Sequence, residues 1–350
     1  MQEILHLFIF SFRSSSISKL LDIWGDLLMK KRSLSENYRK LQKLFEIRVK
    51  LILELMISGV SMETLLWIDK KRKKATEKID MESPKTFDDK IWYIKKYYYS
   101  SLAVKCADKV SVREYVRECG FEEILIPVYG IYDSPDEIDF SRLPDECYIK
   151  CNHNSGGNYL YRRNKTDEKW LKKLFTLYLK RDHYKASKEW VYKDIPHKII
   201  IEDKLKNGSG LPLCDYRMFC FSGHLKVVMV NIGTATENGE HAKNVSRSFY
   251  TSEFEPIPQL SILGDEPSNI ILPKPAGWDK MVKIAQKLSE PFAFCRVDLY
   301  NLDGKIYFGE MTFFPNRGVN RIRPKEWALK MGEWIELEKC RNNPIYEYRK

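Results

Sequence analysis

The sequence contains no closely spaced cysteine pair of the kind that binds zinc or performs redox chemistry. Its eight cysteines are scattered. The nearest neighbours are Cys147 and Cys151, and no His-x-x-x-His segment follows them. Disulfides and zinc are therefore not expected. Reduced, partly buried thiols are expected instead, as in a cytosolic protein.

Long apolar runs are missing as well. The apolar segment from Ile4 to Phe12 is too short to cross a bilayer, and Glu3 precedes it where a secretory signal would carry basic residues. A secretory signal is therefore not expected, and the protein is expected to be cytoplasmic. Internal repeats and low-complexity segments are also absent from the sequence.

The charge balance points to an anionic partner. The 350 residues are 43% hydrophobic and 31% charged, as in a globular chain of two or three domains. The net charge of +11 suits nucleotide phosphates, an acidic polysaccharide, anionic lipid or nucleic acid. No nucleic-acid-binding motif is present, and aromatic residues are not interleaved with a basic stripe, so a nucleic-acid partner is not expected.

Residues 1–82 are predicted to form a helical extension. Apolar residues between Leu41 and Met56 recur with the spacing of an amphipathic helix, and Met62 to Ile68 begins another. The basic run Lys70 to Lys74 is either a solvated helix end or a contact with anionic lipid at the inner membrane surface. Ser83-Pro84 then ends the helical region.

A helix from Asp108 to Arg117 is predicted next, with Lys109 in its first turn. A cation there opposes the helix dipole. Lys109 is easier to explain if it holds a phosphate, although an exposed bystander lysine fits equally well.

The segment from Tyr148 to Tyr161 reads as a strand, a loop of small residues and a second strand. In the loop, Ser155, Gly156 and Gly157 would let backbone N–H groups approach phosphate oxygens, because glycine has no Cβ. The loop is not a Walker A motif, and a ligand-free glycine hairpin is the alternative. Lys150, on an otherwise apolar strand, needs an anion if it points inward.

Two further features flank this segment. His153 has no visible carboxylate partner, so it is predicted to contact substrate or solvent rather than to act as a base. The strand from Lys198 to Leu205 is apolar and then abruptly charged, so it could present backbone groups and Glu202 to an adenine. A plain strand end is the alternative.

Residues 295–311 read as a β-hairpin that carries two acids, Asp298 and Glu310. A three-residue loop from Leu302 to Gly304, with Gly304 in the left-handed region, would pair Asp298 with Phe308 and put Glu310 on the same face as Asp298. Two neighbouring carboxylates need a cation or a shared proton, and such oxygen ligands suit Mg²⁺ carrying a phosphate. The alternative is an ordinary hairpin with a solvated acidic face.

The order of these motifs resembles the ATP-grasp fold. Four phrases further resemble the TupA-like ATP-grasp proteins over residues 83–335: Pro84-Lys85-Thr86-Phe87, Lys150-Cys151-Asn152-His153, Asp215-Tyr216-Arg217-Met218-Phe219-Cys220-Phe221-Ser222-Gly223 and Val297-Asp298-Leu299-Tyr300.

The resemblance implies a role for each candidate residue. Lys109 and Lys150 would contact ATP phosphates, Ser155 to Gly157 would form the closing loop, and Glu202 with the backbone near Leu205 would hold adenine. Asp298 and Glu310 would ligate Mg²⁺. Arg217 and Arg296 would contact phosphate or acyl phosphate, with a structural salt bridge as the alternative.

The resemblance also implies an α+β ATP-grasp fold behind the N-terminal helical extension. Helices and a strand over residues 83–145 would lead into a lid subdomain at 146–205 and a metal-binding subdomain at 206–335, followed by a tail at 336–350. ATP would lie between the lid and the metal-binding subdomain.

The implied function is that of an ATP-dependent carboxylate–amine ligase that works through an acyl phosphate. Because the family is associated with teichuronopeptide and capsular polysaccharide biosynthesis, the expected substrates are an amine or amino acid and a uronic-acid-bearing glycan or a small carboxylate. Two positions depart from the pattern: Thr312 stands where many members have a metal-binding asparagine, and Arg317 stands where a small residue is expected. A glycosyltransferase and a catalytically silent ATP-binding protein are the alternatives.

Overall fold

The computed structural model describes residues 36–73, 75, 77–154, 156–205, 213–233, 245–263, 268 and 270–349. The chain divides into two compact units, residues 1–48 and residues 49–350. Along the described chain, the helices are α1 (Glu36–Ile57), α2 (Met62–Arg72), α3 (Phe87–Tyr97), α4 (Ser101–Ala107), α5 (Val112–Glu118), α6 (Glu168–Leu179), α7 (His183–Ser187), α8 (Trp278–Ser289), α9 (Lys325–Glu333) and α10 (Leu337–Asn342).

The strands of the described residues form antiparallel sheets. They are β1 (Tyr98–Tyr99), β2 (Val128–Tyr132), β3 (Glu146–Cys151), β4 (Tyr159–Arg162), β5 (Ile199–Asp203), β6 (Cys214–Phe221), β7 (His224–Ile232), β8 (Ser246–Tyr250), β9 (Phe294–Leu302), β10 (Lys305–Thr312) and β11 (Glu347–Tyr348). The small sheet has the order β2-β5-β3-β4 and the large sheet the order β10-β9-β6-β7-β8. Strands β1 and β11 pair separately.

The predicted N-terminal helices are present as α1 and α2. Helix α2 begins at Ser61, whose hydroxyl caps the Thr64 amide. Within the described part of the chain, no helix is long and apolar enough to cross a membrane. In the basic run, Lys73 donates to the Asn316 carbonyl, whereas Lys74 lies outside the described residues.

Helix α3 starts where its sequence provides a capping box. The Thr86 hydroxyl accepts a hydrogen bond from the Asp89 amide, and the Asp89 carboxylate accepts one from the Thr86 amide. The buried face of α3 then packs on the large sheet, where the Phe87 ring lies 4.9 Å from the Phe294 ring in an edge-to-face contact. This face joins the main apolar core.

The hairpin turn differs from the prediction. Leu302 pairs with Lys305, so the turn has two residues, and Asp303 and Gly304 both have positive φ, as a tight hairpin turn requires. The predicted three-residue loop and the pairing of Asp298 with Phe308 are therefore wrong.

A β-bulge restores the arrangement of the two acids. A plain two-residue turn would oppose Asp298 to Gly309 and send Glu310 to the other face. The ladder instead shifts by one residue between Phe308 and Glu310, so that Glu310 lies directly opposite Asp298. The prediction that both acids share a face is thus confirmed, although the extra residue lies in strand β10 and not in the turn.

The predicted helix from Asp108 to Arg117 starts later than expected. Residues 108–111 form a turn, and α5 begins at Val112. The Asp108 carboxylate accepts hydrogen bonds from the Val110 amide at 2.9 Å and from Asn152 Nδ2 at 2.7 Å. Asn152, the residue after β3, therefore holds the turn. Lys109 therefore does not occupy a first helical turn, and the helix dipole does not explain it.

Candidate active site

The two larger sheets line one cavity of about 970 Å³. Most of the candidate residues lie on its wall: Lys109, Lys150, Gly156, Glu202, Leu205, Arg217, Arg296, Asp298 and Glu310. Ser155 lies outside the described residues. Basic side chains outnumber acidic ones in the lining, so the cavity suits an anionic ligand.

A row of charged residues crosses three strands of the large sheet. Arg217 of β6 lies opposite Asp298 of β9, which in turn lies opposite Glu310 of β10. Residues opposite one another in an antiparallel ladder share a face. All three therefore point to the side of the sheet that faces the cavity.

Arg296 donates two hydrogen bonds to Asp298. Its Nε donates to Asp298 Oδ1 at 2.7 Å and its Nη2 to Asp298 Oδ2 at 2.5 Å. The same Nη2 lies 3.3 Å from Glu310 Oε1 and 3.0 Å from the Thr312 hydroxyl. The structural salt bridge that the sequence left open as the alternative for Arg296 is therefore present, and one guanidinium joins both acids and Thr312.

Arg217 is held in a similar way. Its Nε donates to Asp215 Oδ2 at 2.8 Å and lies 3.8 Å from Asp298 Oδ2. Asn231, opposite Asp215 on β7, also approaches Asp215 Oδ2 with its Nδ2 at 3.4 Å. Asp215 and Asn231 were not predicted as site residues, although the alternation of Asp215, Arg217 and Phe219 on one strand is a signal that all three share a face.

Burial disfavours the ionised form of Asp298. The residue is only 4% exposed. Burial raises its pKa to about 7; Asp215 adds to this rise, and the cations of Arg296 and Arg217 oppose it. A further cation near this buried carboxyl group would stabilise its ionised form.

The two acids have the oxygen donors that a Mg²⁺ ion carrying a phosphate requires. Among the described residues, no group of three His, Cys, Asp or Glu side chains is arranged to hold a metal. Mg²⁺, however, is commonly bound through one or two carboxylates, with phosphates and water supplying the other oxygens. Asp298 and Glu310 provide two such carboxylates on one face, and the Thr312 hydroxyl lies 3.4 Å from Glu310 Oε1.

Two lysines reach the cavity from outside the large sheet. Lys109 Nζ donates to the Asn154 carbonyl at 3.0 Å and lies 3.9 Å from Glu310 Oε2. Lys150 Nζ donates to Glu202 Oε2 at 2.7 Å. Glu202 is thus the anion that a lysine on this apolar strand requires, and Arg113 lies 3.6 Å from its other oxygen.

The small-residue loop joins β3 and β4 as predicted. Gly156 and Gly157 have φ values of 86° and 80°, a region that other residues rarely adopt. A Cβ on Gly157 would also lie 3.4 Å from the Tyr178 ring. The backbone conformation therefore favours glycine at both positions, and the Tyr178 ring is at ordinary contact distance.

The prediction that His153 contacts substrate or solvent is wrong. The residue is 1% exposed, and its ring stacks on His197 with 3.6 Å between the centroids. Nδ1 lies 3.2 Å from Asn152 Oδ1 and Nε2 lies 3.1 Å from the Arg181 carbonyl. Burial, together with His197, lowers the pKa of His153 to about 3, so the ring is a neutral packing element.

Arg317 lies on the cavity wall with its guanidinium already engaged. Its Nη1 donates to Asp69 Oδ1 at 3.0 Å and its Nη2 to the Ala186 carbonyl at 2.8 Å. Asn316 and Arg317 have positive φ values of 50° and 59°. Such backbone is costly for residues other than glycine and persists only where the surroundings hold it.

Helix α1 also contributes a residue that sequence reasoning did not single out. Glu54 is buried and accepts hydrogen bonds from Arg181 Nε at 2.9 Å and from the Asp182 amide at 3.2 Å. Both Glu54 and Arg181 line the cavity. The only sequence signal was an acidic residue within an amphipathic pattern, which normally indicates a solvated position.

Comparison with known proteins gives one clear family match. The model of the family described as "TupA-like ATPgrasp" matches residues 89–336. No curated protein sequence gives a significant match.

Solved structures show more distant likenesses. D-alanine–D-alanine ligase from Bacillus anthracis is 14% identical, with a TM-score of 0.43 over 81% of this chain and 95% of that one. The structure of the same enzyme complexed with ATP is 15% identical, with a TM-score of 0.37 over 62% of this chain and 58% of that one. D-cycloserine synthetase DcsG is 12% identical, with a TM-score of 0.37 over 68% and 72% of the two chains.

These structural likenesses are too remote to carry an argument about activity, so the family assignment depends on the match to the family model. That match covers more than half of the chain. The protein therefore belongs to the TupA-like ATP-grasp family and has an α+β ATP-grasp fold.

Proposed function

We propose that the protein is an ATP-dependent carboxylate–amine ligase that works through an acyl phosphate. The observation that carries this proposal is the cross-strand pair of Asp298 and Glu310, surrounded by Arg296, Arg217 and Lys109 on the wall of one cavity. Phosphoryl transfer needs positioning and positive charge more than a nucleophilic side chain. Family membership supports the same reaction class.

In this proposal ATP lies between the lid, residues 146–205, and the metal-binding subdomain, residues 206–335. Lys109 and Lys150 bind phosphate oxygens, and the loop that contains Gly156 and Gly157 closes over them. Glu202 and the backbone near Leu205 hold the adenine. Lys150 and Glu202 are already paired at 2.7 Å, so the pair would open or share its contacts when the nucleotide binds.

Asp298 and Glu310 would hold Mg²⁺, which when bound neutralises charge on the ATP phosphates. The substrate carboxylate attacks the γ-phosphorus, a P–O bond forms to it, and ADP leaves with the electron pair of the broken bond. Arg296 orients Asp298 and favours its ionised form, and the cation of Arg217 on the neighbouring strand acts in the same direction. An amine then attacks the acyl carbon, and phosphate leaves.

We propose a uronic-acid-bearing surface polysaccharide or its precursor as the carboxylate substrate, and an amino acid or another amine as its partner. The excess of basic side chains in the cavity lining supports an anionic substrate. The resemblance to proteins of teichuronopeptide and capsule biosynthesis supports the glycan class.

A melting experiment tests the nucleotide site. ATP with Mg²⁺ is expected to raise the melting temperature of the wild type, because a ligand that binds the native state stabilises it. Asp298→Ala should abolish the Mg²⁺-dependent part of the rise. Asp145→Ala, which removes an exposed carboxylate outside the cavity, should not.

The other outcomes separate the alternatives. A shift with UDP-sugars and none with ATP would replace the ligase with a glycosyltransferase. An ATP shift without ADP formation in the presence of uronic acids and amines would indicate a catalytically silent ATP-binding protein.

A cytoplasmic location at the inner membrane surface is a further hypothesis, motivated by the basic run Lys70 to Lys74. The negative surface potential of the cytoplasmic leaflet attracts such basic runs. Cosedimentation with anionic vesicles tests it: binding should fall when these residues are neutralised, and unchanged binding would end the hypothesis.

A further inference from the structure

One carboxylate on the cavity wall is held by two cations that contact different oxygens. Glu202 lies on β5, between β2 and β3 in the small sheet. Lys150 Nζ donates to Glu202 Oε2 at 2.7 Å, and Arg113 Nη1 lies 3.6 Å from Glu202 Oε1. All three residues line the cavity. The scheme above gives roles to Lys150 and Glu202 and leaves Arg113 without one.

Arg113 is anchored independently of the lysine. It belongs to helix α5, outside the small sheet, and its Nη2 donates to the Ile126 carbonyl at 2.9 Å. The side chains of Arg113 and Glu202 are only 12% and 11% exposed. Burial lowers the pKa of Arg113, and Glu202 opposes this effect. Arg113 therefore faces Glu202 whichever partner Lys150 takes.

Lys150 can choose between two anions. It lies on β3, two residues beyond Tyr148, which is directly opposite Glu202 in the ladder. Lys150 and Glu202 therefore share the face of the small sheet that lines the cavity. The lysine side chain is 21% exposed, and it ends in a flexible ammonium with three donors. The proposed contact with an ATP phosphate competes with the contact to Glu202.

This exchange leaves one oxygen of Glu202 without its donor. When Lys150 turns to a phosphate, Oε2 loses the ammonium, whereas Oε1 keeps the guanidinium of Arg113. A largely buried carboxylate with no cation beside it is strongly disfavoured. The oxygen that Lys150 leaves can accept a hydrogen bond from the 6-amino group of adenine. A 6-oxo group is an acceptor and cannot donate to it.

We propose that Arg113 is a positioning residue that keeps Glu202 charged and in place while Lys150 moves to the phosphates. Recognition of the base and binding of the phosphates are then coupled through one carboxylate, and adenine is selected over a 6-oxopurine. The inference rests on the nucleotide site of the proposed function. Arg113 acts through Glu202.

Two nucleotides that differ only in the base test the selection. Isothermal titration calorimetry with Mg²⁺ should show that the wild type binds ATP at least about 10-fold more tightly than inosine triphosphate. In Glu202→Gln the preference should fall below about threefold, because an amide nitrogen can donate to the 6-oxo group. Asp203→Asn removes the next carboxylate along the same cavity wall and should keep the preference of the wild type.

Inorganic tripolyphosphate tests the phosphate half of the coupling. Glu202→Gln should bind tripolyphosphate about 10-fold more tightly than the wild type, because Lys150 no longer has to leave a charged partner. Loss of one negative charge by itself attracts an anion, and Asp203→Asn measures that effect. Its gain in affinity should stay below about threefold.

A double-mutant cycle separates positioning by Arg113 from a merely structural role. Arg113→Gln should weaken ATP binding about 10-fold in the wild-type background and less than about threefold in the Glu202→Gln background. Arg113→Lys keeps the charge and should recover most of the affinity. A structural role would give equal losses in both backgrounds.

The outcomes separate this inference from the proposed function. If the wild type binds neither ATP nor tripolyphosphate, the nucleotide site fails and the inference falls with it. If ATP binds and Arg113→Gln weakens it equally in both backgrounds, or in neither, the positioning role alone is wrong. An undiminished preference for ATP over inosine triphosphate in Glu202→Gln would likewise overturn the coupling.

Discussion

The bulge at Gly309 is the feature of the hairpin that brings Glu310 opposite Asp298, and a single methyl group tests it. A Cβ built on Gly309 would lie 2.9 Å from the Asp298 carbonyl oxygen and 3.3 Å from the Tyr300 ring. The first contact involves backbone, which cannot rotate away as a flexible side chain can. Gly309→Ala should therefore push β10 away from β9 at the position of the two acids.

The expected cost follows from this contact. Overpacking by one methyl group typically destabilises a protein by about 1–3 kcal/mol, which corresponds to a melting temperature lower by several degrees. If the displaced carboxylates bind Mg²⁺ and ATP ten times more weakly, ligand stabilisation falls by about 1.4 kcal/mol. The melting rise with ATP and Mg²⁺ should shrink accordingly.

Gly59→Ala is a matched control. Gly59 is exposed between α1 and α2, and a Cβ there would meet nothing within 4 Å. The same chemical change should therefore leave the melting temperature and the nucleotide response nearly unchanged. Calorimetry of both variants with and without ATP and Mg²⁺ gives the comparison. If Gly309→Ala behaves like Gly59→Ala, the bulge does not determine the geometry of the acids.

Three other predictions follow from the contacts of the site. Glu54→Ala leaves the largely buried Arg181 guanidinium without its carboxylate and should lower the free energy of unfolding by about 3 kcal/mol. The control Glu63→Ala removes an exposed ion pair and should lower it by less than about 1 kcal/mol. Equal losses of the free energy of unfolding in urea would contradict this prediction. Because the pKa of folded His153 is lowered to about 3, the unfolded chain binds a proton below pH 6.5 that the folded chain does not, and His153 should contribute a loss of about 1.6 kcal/mol between pH 6.5 and pH 5. His153→Gln should lose less over that interval, and parallel pH profiles would be inconsistent with the buried neutral ring. Thr312→Asn places an amide oxygen beside Glu310 and should lower the Mg²⁺ concentration that gives half of the ATP-induced melting shift; a higher concentration would argue against metal binding at this position.

Local patterns were enough to predict the elements that surround the site. The amphipathic spacing predicted α1, and the alternation of apolar residues with a run of small residues predicted β3, the glycine loop and β4. The hairpin and the shared face of its two acids were also predicted. These features depend on neighbouring residues, so the sequence contains the information directly.

The errors arose where a distant part of the chain decides the local structure. Asn152 of the β3 region holds Asp108 in a turn before α5, and a helix propensity cannot anticipate that contact. The bulge at Gly309 depends on the ladder with β9, whereas turn composition describes only the loop. His153 is buried by His197, which lies in a segment that gave no sign of contact with it.

The partners of the buried acids were equally beyond the reach of local patterns. Glu54 bonds to Arg181, 127 residues away, and Asp69 bonds to Arg317, 248 residues away. A helical periodicity predicts where these acids lie on their helices but not which cation neutralises them. Both pairs join the N-terminal helices to the cavity wall. The sequence analysis predicted these helices only as an extension.

The transfer of oxygen from the carboxylate to phosphate tests the central claim most directly. D-glucuronate labelled with ¹⁸O in its carboxylate is incubated with ATP, Mg²⁺ and glycine methyl ester, and the released phosphate is examined by ³¹P NMR. An acyl phosphate predicts that one ¹⁸O atom from the carboxylate appears in each phosphate, and that Asp298→Ala forms none. Phosphate released without ¹⁸O would contradict the account, because the carboxylate would then never have been phosphorylated.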